Sequence, residues 1–331
     1  MKGIAHFASG LAVATIFPEI VVTREKCTQC GRCVEACPTM GLEMGTDGFP
    51  YLRGFKGIEK ACLACRNCEV VCPSGAARLD GNYRVEEGRY KTILRGKNSP
   101  PNPFNDPDPP SFESVSKKLT PVERVIFKRR SIRLYKDKPV PPEMIHRILE
   151  AGRFAPSAGN CTPWKFVVVS NREMIRELER DSMKVLCRMR DFYLGGKKWN
   201  KAAVTLLSLA KAGTMDQRPL TAIEKADHCQ DIIYWNAPVV IFLLMDTRGI
   251  SNPDLDSGMC GQNMVLAAHA MGLGTCYIGL TVATLGQLPE WRKRLGIEPP
   301  WKAVTSLGVG YPKGKIDKPV ARETLEVNWI E

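Results

Sequence analysis

Eight cysteines dominate the chemistry open to this chain. Cys27, Cys30, Cys33 and Cys37, with Pro38 after the last, follow the spacing C-x2-C-x2-C-x3-C-P; Cys62, Cys65, Cys68 and Cys72, with Pro73, repeat it without a departure. Two x2 gaps put three thiolates on one tight loop and leave a fourth to come from elsewhere, as a cubane of four irons and four sulfides requires. Where one small domain holds two such clusters, the fourth cysteine of each run serves the other cluster. The expected ligand sets are therefore Cys27, Cys30, Cys33 and Cys72 for one cluster, and Cys62, Cys65, Cys68 and Cys37 for the second. A pair of zinc knuckles would take its ligands in pairs and would leave the two-fold repeat unexplained.

Two crossed clusters in one small domain resemble the bacterial-type ferredoxins, and the resemblance implies an electron relay rather than clusters with a purely structural role. Thiolates at metal-ligand spacing belong to a reducing compartment, so cytoplasmic residence is expected. The other five cysteines, Cys161, Cys187, Cys229, Cys260 and Cys276, are scattered through apolar or helical stretches and read as buried free thiols.

A second set of candidates is built from arginines, hydroxyls and glycines. Arg129-Arg130-Ser131-Ile132-Arg133 offers guanidinium forks of the kind that grip phosphate through paired hydrogen bonds. By itself such a run is also what a solvated basic face looks like. Ala155-Pro156-Ser157-Ala158-Gly159-Asn160, then Pro163-Trp164, lies between an expected helix and an expected strand. Gly272-Leu273-Gly274-Thr275-Cys276-Tyr277-Ile278-Gly279 follows a long expected helix, with glycines suited to a helix-to-strand turn. Gly308 to Lys315, GVGYPKGK, comes last, with Lys318 and Arg322 just beyond it. Neither glycine cluster is a dinucleotide fingerprint: Gly272 opens no βαβ unit, and Pro312 forbids a helix after Gly308.

Taken together, these four elements resemble the FMN-dependent nitroreductase family over roughly Leu119 to Trp329. The resemblance implies that Arg129, Arg130, Ser131 and Arg133 grip the flavin phosphate and ribityl chain, with Lys318 and Arg322 completing the phosphate site. It implies that Pro156, Ser157, Ala158 and Asn160 reach the isoalloxazine of a partner subunit, Asn160 through a hydrogen bond, and hence an obligate homodimer. Thr162 stands where the family usually has glutamine. Backbone N–H groups near Ile278 and Gly279 are implied to face flavin N5, where a donor stabilises the charge that develops on reduction. No dedicated catalytic residue is expected, with water or a pocket donor supplying protons.

Such residues need a scaffold, and the pattern predicts an α+β protein. The expected architecture is a nitroreductase-like mixed β-sheet flanked by helices, homodimeric, with a small N-terminal ferredoxin-like domain for two 4Fe-4S clusters. The expected divisions are an apolar helix over 1–20, the cluster domain over 21–95, a proline-rich linker over 96–118 and the FMN-binding domain over 119–331. The stretch GIAHFASGLAVATIF, interrupted by His6 and Ser9, is too short to span a bilayer and follows no twin-arginine pair. A helix opens at Pro142 and ends before Pro156. Strands are expected at 165–170, 239–245, 275–280 and 303–309, and helices near 172–190, 200–212, 221–235 and 285–295. A further helix over 256–271, capped by Asp256 or Ser257 and stopped by Gly272, is apolar nearly all round, so it should be buried at the domain centre or between subunits.

Composition bounds the rest. With 44% hydrophobic and 25% charged residues, neither disorder nor a membrane-embedded class is indicated. The net charge of +12 is not arranged as Lys/Arg runs interleaved with aromatics, so it fits a phosphate-bearing cofactor or an acidic redox partner better than nucleic acid. His6, His146, His228 and His269 have no metal-ligand spacing. Phe192, Tyr193 and Trp199 fit either a lid over a substrate pocket or ordinary core packing.

The expected activity is reduction of an organic nitro, enone, quinone or aromatic compound by FMN. Electrons would reach the flavin through the clusters from an external donor such as ferredoxin or flavodoxin. Reductive removal of halide or hydroxyl is the alternative within enzymes. An electron carrier or redox sensor acting only on protein partners is the alternative outside them.

Overall fold

The computed structural model describes residues 14–16, 18–54, 62–81, 84–85, 98–194, 233–250, 252–315, 317–323, 325 and 327–331 of the 331-residue chain. The chain divides into two compact units. One comprises Met1–Lys118, Cys187–His228 and Lys318–Glu331; the other comprises Leu119–Leu186 and Cys229–Asp317.

The first unit is built from short two-stranded ladders. β1 (Ala14–Ile16), β2 (Glu19–Val22), β3 (Leu42–Met44), β4 (Pro50–Leu52), β5 (Ala77–Asp80), β6 (Arg84–Val85) and β7 (Asn98–Ser99) are its labelled strands. β1 pairs with β6, β2 with β5 and β3 with β4, all antiparallel. Helices α1 (Arg32–Glu35) and α2 (Asn67–Val71) each follow a cysteine loop. Leu42 and Leu79 are buried with Cys37 and Cys68, so the core of this unit is made largely of its own candidate ligands.

Two expectations for this part of the chain need correction. Of the helix expected over 1–20, residues 1–13 lie outside the described residues, but Ala14–Ile16 and Glu19–Val22 are strands. Pro18 breaks the run, and the β-branched Thr15, Ile16, Ile20, Val21 and Val22 favour extended backbone. The linker expected over 96–118 is not featureless. β7 pairs with Arg322–Glu323, and α3 (Phe112–Ser116) forms where the prolines stop. Ser111 caps it by accepting from Ser114 N–H, and Phe112 and Val115, one turn apart, are both buried.

The second unit is a four-stranded sheet with helices. α4 (Pro121–Lys128) opens it with a capping box between Thr120 and Glu123 and proline at its first position. α5 (Pro142–Arg153), α6 (Arg172–Leu194), α7 (Pro253–Ala270), α8 (Leu280–Leu285) and α9 (Pro289–Arg294) follow. The strands β8 (Trp164–Val169), β9 (Val239–Asp246), β10 (Gly274–Ile278) and β11 (Trp301–Gly310) lie in the order β10-β11-β9-β8, each neighbour antiparallel. A parallel bridge from Ser131 to Thr275 makes the arrangement mixed. β9 is buried from Val239 through Met245, which explains its unbroken apolar run. On one face Ile241, Leu243 and Leu307 pack with Ile148 of α5 and with Met264 and Val265 of α7.

Gly152 lets α5 approach α7: a Cβ there would stand 2.7 Å from Met264 Cγ. α7 is the helix expected to be buried all round, but it begins earlier than Asp256. Asn252 caps it by accepting from Leu255 N–H, and Pro253 sits at its first position. Asp256 and Ser257 are buried inside it. The single helix expected near 285–295 is two, α8 and α9, because Gly286 closes one and Pro289 starts the next. The helix expected over 200–212 lies outside the described residues, as does 221–232; from Ile233 to Asn236 the chain turns into β9. No described helix is long and apolar enough to cross a membrane.

Candidate cofactor sites

Two hollows open in the first unit, and each is walled by cysteines from both runs. One is lined by Cys27, Cys30, Cys33 and Cys72. The other is lined by Cys62, Cys65, Cys68 and Cys37. Among the described residues no group of thiols, carboxylates or imidazoles converges on the one point that a lone metal ion would occupy. A cubane, with a separate iron for each thiolate, needs a hollow ringed by sulfur.

The backbone repeats with the sequence. In the first run Gln29 and Gly31, either side of Cys30, have φ of 53° and 70°; in the second Ala64 and Arg66, either side of Cys65, both have 55°. Left-handed backbone at Ala64 and Arg66 costs about 1 kcal/mol or more each. Arg66 offsets this by donating to Glu69 Oε1 at 2.8 Å and to the carbonyls of Leu79 and Gly81 at 3.0 and 3.2 Å. Asn67, buried at the start of α2, donates to the Ala36 carbonyl at 2.9 Å and so ties the two cysteine loops together.

Electrostatics at the sulfurs are uneven. Burial, with Cys65 and Cys62 close by, pushes the Cys68 thiol well above its usual range, and burial also raises Cys33. At Cys72 burial acts upward but is outweighed by the N–H groups of Ala77 and Ala76 and by Ser74, which leave the thiol below its usual value. Cys62 Sγ accepts from Ala64 N–H at 3.3 Å. Cys30 and Cys65, the middle cysteine of each run, are the exposed ones.

In the second unit the segment Arg129–Tyr135 lies along β10. Ile132 N–H donates to the Thr275 carbonyl at 2.9 Å, and Gly274 is required where they touch, since a Cβ there would stand 2.7 Å from Ile132. On its other side this segment meets the C-terminal element. Lys313 N–H donates to the Leu134 carbonyl, Lys136 N–H to the Tyr311 carbonyl, and Arg130 Nη2 to the Lys315 carbonyl at 3.1 Å. Three of the four glycine- and arginine-bearing elements, at 129–133, 272–279 and 308–315, are thus joined side by side.

The arginines within this junction suit an anion. Arg130 is only 5% exposed, and burial, partly opposed by Asp317, pulls its pKa down to about 10. The guanidinium of Arg133 lies 5.1 Å above the Trp235 ring, with its buried Nε lacking a hydrogen-bond partner. The buried guanidinium of Arg130 and the half-buried one of Arg133, three residues on, offer N–H donors of the kind a phosphate satisfies several of at once. His269, at the end of α7, is half-buried with its pKa lowered by that burial and by Arg129, Lys128 and Arg130. His269 thus belongs to the same basic corner, although its place on α7 alone did not reveal this.

The fourth element stands apart. Ala158 N–H donates to Asp256 Oδ2 at 3.3 Å and Thr162 N–H to Ser157 Oγ at 2.9 Å, which anchors the loop to the start of α7. Pro156, Asn160 and Thr162 are exposed, and Asn160 and Thr162 have φ of 52° and 45°. A β-branched residue in that region is under strain. The strand that follows, β8, is three places from β10 in the sheet, roughly 14 Å away at the usual strand spacing. Apolar side chains surround the loop in the open: Phe154 is 71% exposed, Ile250 60% and Leu255 58%.

Lys318 and Arg322, expected at the phosphate site, are exposed and belong to the first unit, where Arg322 pairs with Ser99. Phe192 lies on α6; the side chain of Tyr193 and all of Trp199 lie outside the described residues. Sequence reasoning missed Tyr234, Thr281 and Ser306, hydroxyls that meet behind β10 from three distant positions. No local pattern joins them.

The geometry defines an α+β domain with an anion-seeking corner, carried in one chain with a domain built to hold two iron-sulfur clusters. The chain belongs to the nitroreductase family, whose pattern matches residues 126–311, and residues 26–76 match the 4Fe-4S dicluster domain. It is thus a nitroreductase-family oxidoreductase. An Archaeoglobus fulgidus protein provisionally named NADH dehydrogenase/NAD(P)H nitroreductase is 26% identical over 194 residues, 59% of this chain and 87% of its own length. Iodotyrosine deiodinase 1 of Rattus norvegicus is 29% identical over 218 residues, 61% of this chain and 66% of its own. A nitroreductase from Desulfitobacterium hafniense DCB-2, solved with bound FMN, is similar in fold: 24% identity, TM-score 0.50, 64% of this chain and 100% of that one.

Proposed function

We propose that this chain is an FMN-dependent reductase in which two 4Fe-4S clusters, filled by an external low-potential donor, supply the flavin that reduces a small organic molecule. The observation that carries the reading is the pair of hollows, each ringed by cysteines of both runs, in a chain that also has the nitroreductase fold. FMN, when bound, accepts electrons singly and releases them as a pair, which gives a reason for one chain to carry both domains.

The chain's own residues have defined tasks in this reading. Arg129, Arg130, Ser131 and Arg133 hold the phosphate and ribityl chain by charge-assisted hydrogen bonds. The backbone at Ile278 and Gly279 presents N–H to N5. Pro156, Ser157, Ala158 and Asn160 serve the site of a partner subunit. This is supported by the exposure of Pro156 and Asn160, by the width of sheet between β8 and β10, and by the apolar side chains of Phe154, Ile250 and Leu255 left open around them. Reductive removal of halide from an aromatic ring is a second reading, favoured by the likeness to the deiodinase.

The electron route is tested anaerobically on the full-length protein with iron, sulfide and FMN quantified. Reduced ferredoxin should bleach the flavin, and Cys65→Ser should leave FMN bound while slowing that bleaching at least tenfold. Bleaching by NAD(P)H alone at the same rate, or no effect of the substitution, would remove the clusters from the path. The shared site has its own test. Mixing Arg130→Met subunits with Asn160→Ala subunits under exchange should restore about a quarter of the intact flavin sites, since half the dimers are mixed and each regains one of two. No recovery would place Asn160 and Arg130 in the same chain's site.

A further inference from the structure

A chain of hydroxyls closed to solvent lies behind β10. Tyr234, Thr281 and Ser306 are each 0% exposed. They come from the turn before β9, from α8 and from β11, and meet only in the folded unit. The Tyr234 hydroxyl lies 2.5 Å from Thr281 Oγ1 and 2.9 Å from Ser306 Oγ, and Ser306 Oγ–H donates to the Ile278 carbonyl at 2.7 Å.

The order of protons follows from what each group can do. A carbonyl only accepts, so the single proton of Ser306 is committed to Ile278. The phenol, 2.9 Å from Ser306 Oγ, then donates to it, and Thr281 donates to the phenol at 2.5 Å in preference to Ser306 Oγ at 3.3 Å. The result is one directed chain, Thr281 to Tyr234 to Ser306 to Ile278, in which each bond polarises the next. Burial holds the Tyr234 phenol above its usual value, so it keeps the proton it donates. The chain is also anchored. Thr284 Oγ1 donates to the Thr281 carbonyl at 2.7 Å and contacts Ser182 of α6 at 3.0 Å, while the Glu179 carboxylate of α6 accepts from Tyr234 N–H at 2.6 Å.

We infer that Ser306 is a positioning residue: it fixes the Ile278–Gly279 peptide in the orientation that presents the Gly279 N–H to flavin N5. In a trans peptide the N–H points away from its own C=O. Anchoring the Ile278 carbonyl on Ser306 therefore aims the Gly279 N–H to the opposite side. The strand ladder ends at Ile278, and α8 begins after Gly279, whose carbonyl accepts from Ala283 N–H; the peptide between them is held on its carbonyl side by Ser306. An apolar residue in place of Ser306 would fill the same space and leave this plane unheld. The inference rests on the FMN reading above, and deepens it by naming what sets the N5 donor.

The test uses the full-length, FMN-loaded protein. The FMN midpoint potential is titrated for the native chain, Ser306→Ala, Ser306→Thr and Tyr234→Phe, and each is melted in its flavin-free form. Ser306→Ala should lower the preference for reduced over oxidised FMN five- to tenfold, the size of one lost hydrogen bond. That is a fall of about 20–30 mV at 29.6 mV per decade. Ser306→Thr should keep the native potential, and Tyr234→Phe should shift it part of the way in the same direction. A potential unmoved in Ser306→Ala, even with a lowered melting temperature, overturns the inference and leaves the network a structural one. Should Ser306→Ala fail to fold, an unmoved potential in Tyr234→Phe does the same. A native chain that binds no FMN defeats the function reading itself, a result distinct from either.

Discussion

The double substitution Cys37→Ser with Cys65→Ser should lose no more iron than Cys65→Ser alone, about half of that in the native chain. Cys37 sits in the first run but lines the hollow of Cys62, Cys65 and Cys68. Both changes therefore strike one cluster, and their effects on iron content overlap rather than add, as expected for residues that act on one unit. Cys37→Ser with Cys30→Ser, two residues of the same run, should instead remove nearly all the iron, because Cys30 lines the hollow closed by Cys72. Iron and acid-labile sulfide per chain, after anaerobic purification, decide it. If the same-run pair loses half and the cross-run pair loses everything, the clusters are not crossed. The effect on folding is large as well: Cys37 and Cys68 are core residues, so losing the cluster they would hold should also cost stability.

Arg130→Met should weaken FMN binding about a hundredfold while leaving the flavin-free protein no less stable. Losing one charge-assisted partner of a largely buried phosphate costs about 3 kcal/mol, close to two decades of affinity. The flavin-free protein responds differently. Its Arg130 guanidinium is 5% exposed, and burial draws its pKa down to about 10, so an apolar side chain of similar length removes a desolvation cost that offsets the lost bond to the Lys315 carbonyl. Arg130→Lys should fall between, since it keeps the charge and loses the planar fork. Fluorescence titration with FMN and thermal melting of the flavin-free protein give the two numbers. An unchanged affinity would move the phosphate away from this corner.

Much of the candidate chemistry was legible from short-range pattern. Each cysteine run spans twelve residues with its proline, and the pairing of hollows follows the rule that governs two-cluster domains. The proline at position 142 and the glycine stop after α7 are equally local signals. Errors fell where a local signal had a competitor. An apolar N-terminal stretch was read by hydropathy as helix, although Pro18 and its β-branched neighbours make strands of its last third. Asp256 was a plausible cap by type, yet Asn252 with Pro253 begins the helix a turn earlier and Asp256 turns inward to hold Ala158. Lys318 and Arg322 are a different matter from these errors: they follow the arginine-bearing elements in order and fall in the first unit, and charge alone does not say which unit a segment joins.

Spacing along the chain was enough to specify which metal chemistry the cysteines serve, which family the arginine and glycine elements belong to, and where most helices and strands of the second unit fall. Ligand loops, caps and amphipathic periods act over a few residues, so composition and order carry them directly. The joining of 129–133 to both β10 and 311–315, the basic corner around His269, and the hydroxyls at 234, 281 and 306 needed the folded chain. Those contacts are made between residues tens to nearly two hundred positions apart. Sheet register and helix packing, which depend on the whole core at once, decide which of them meet.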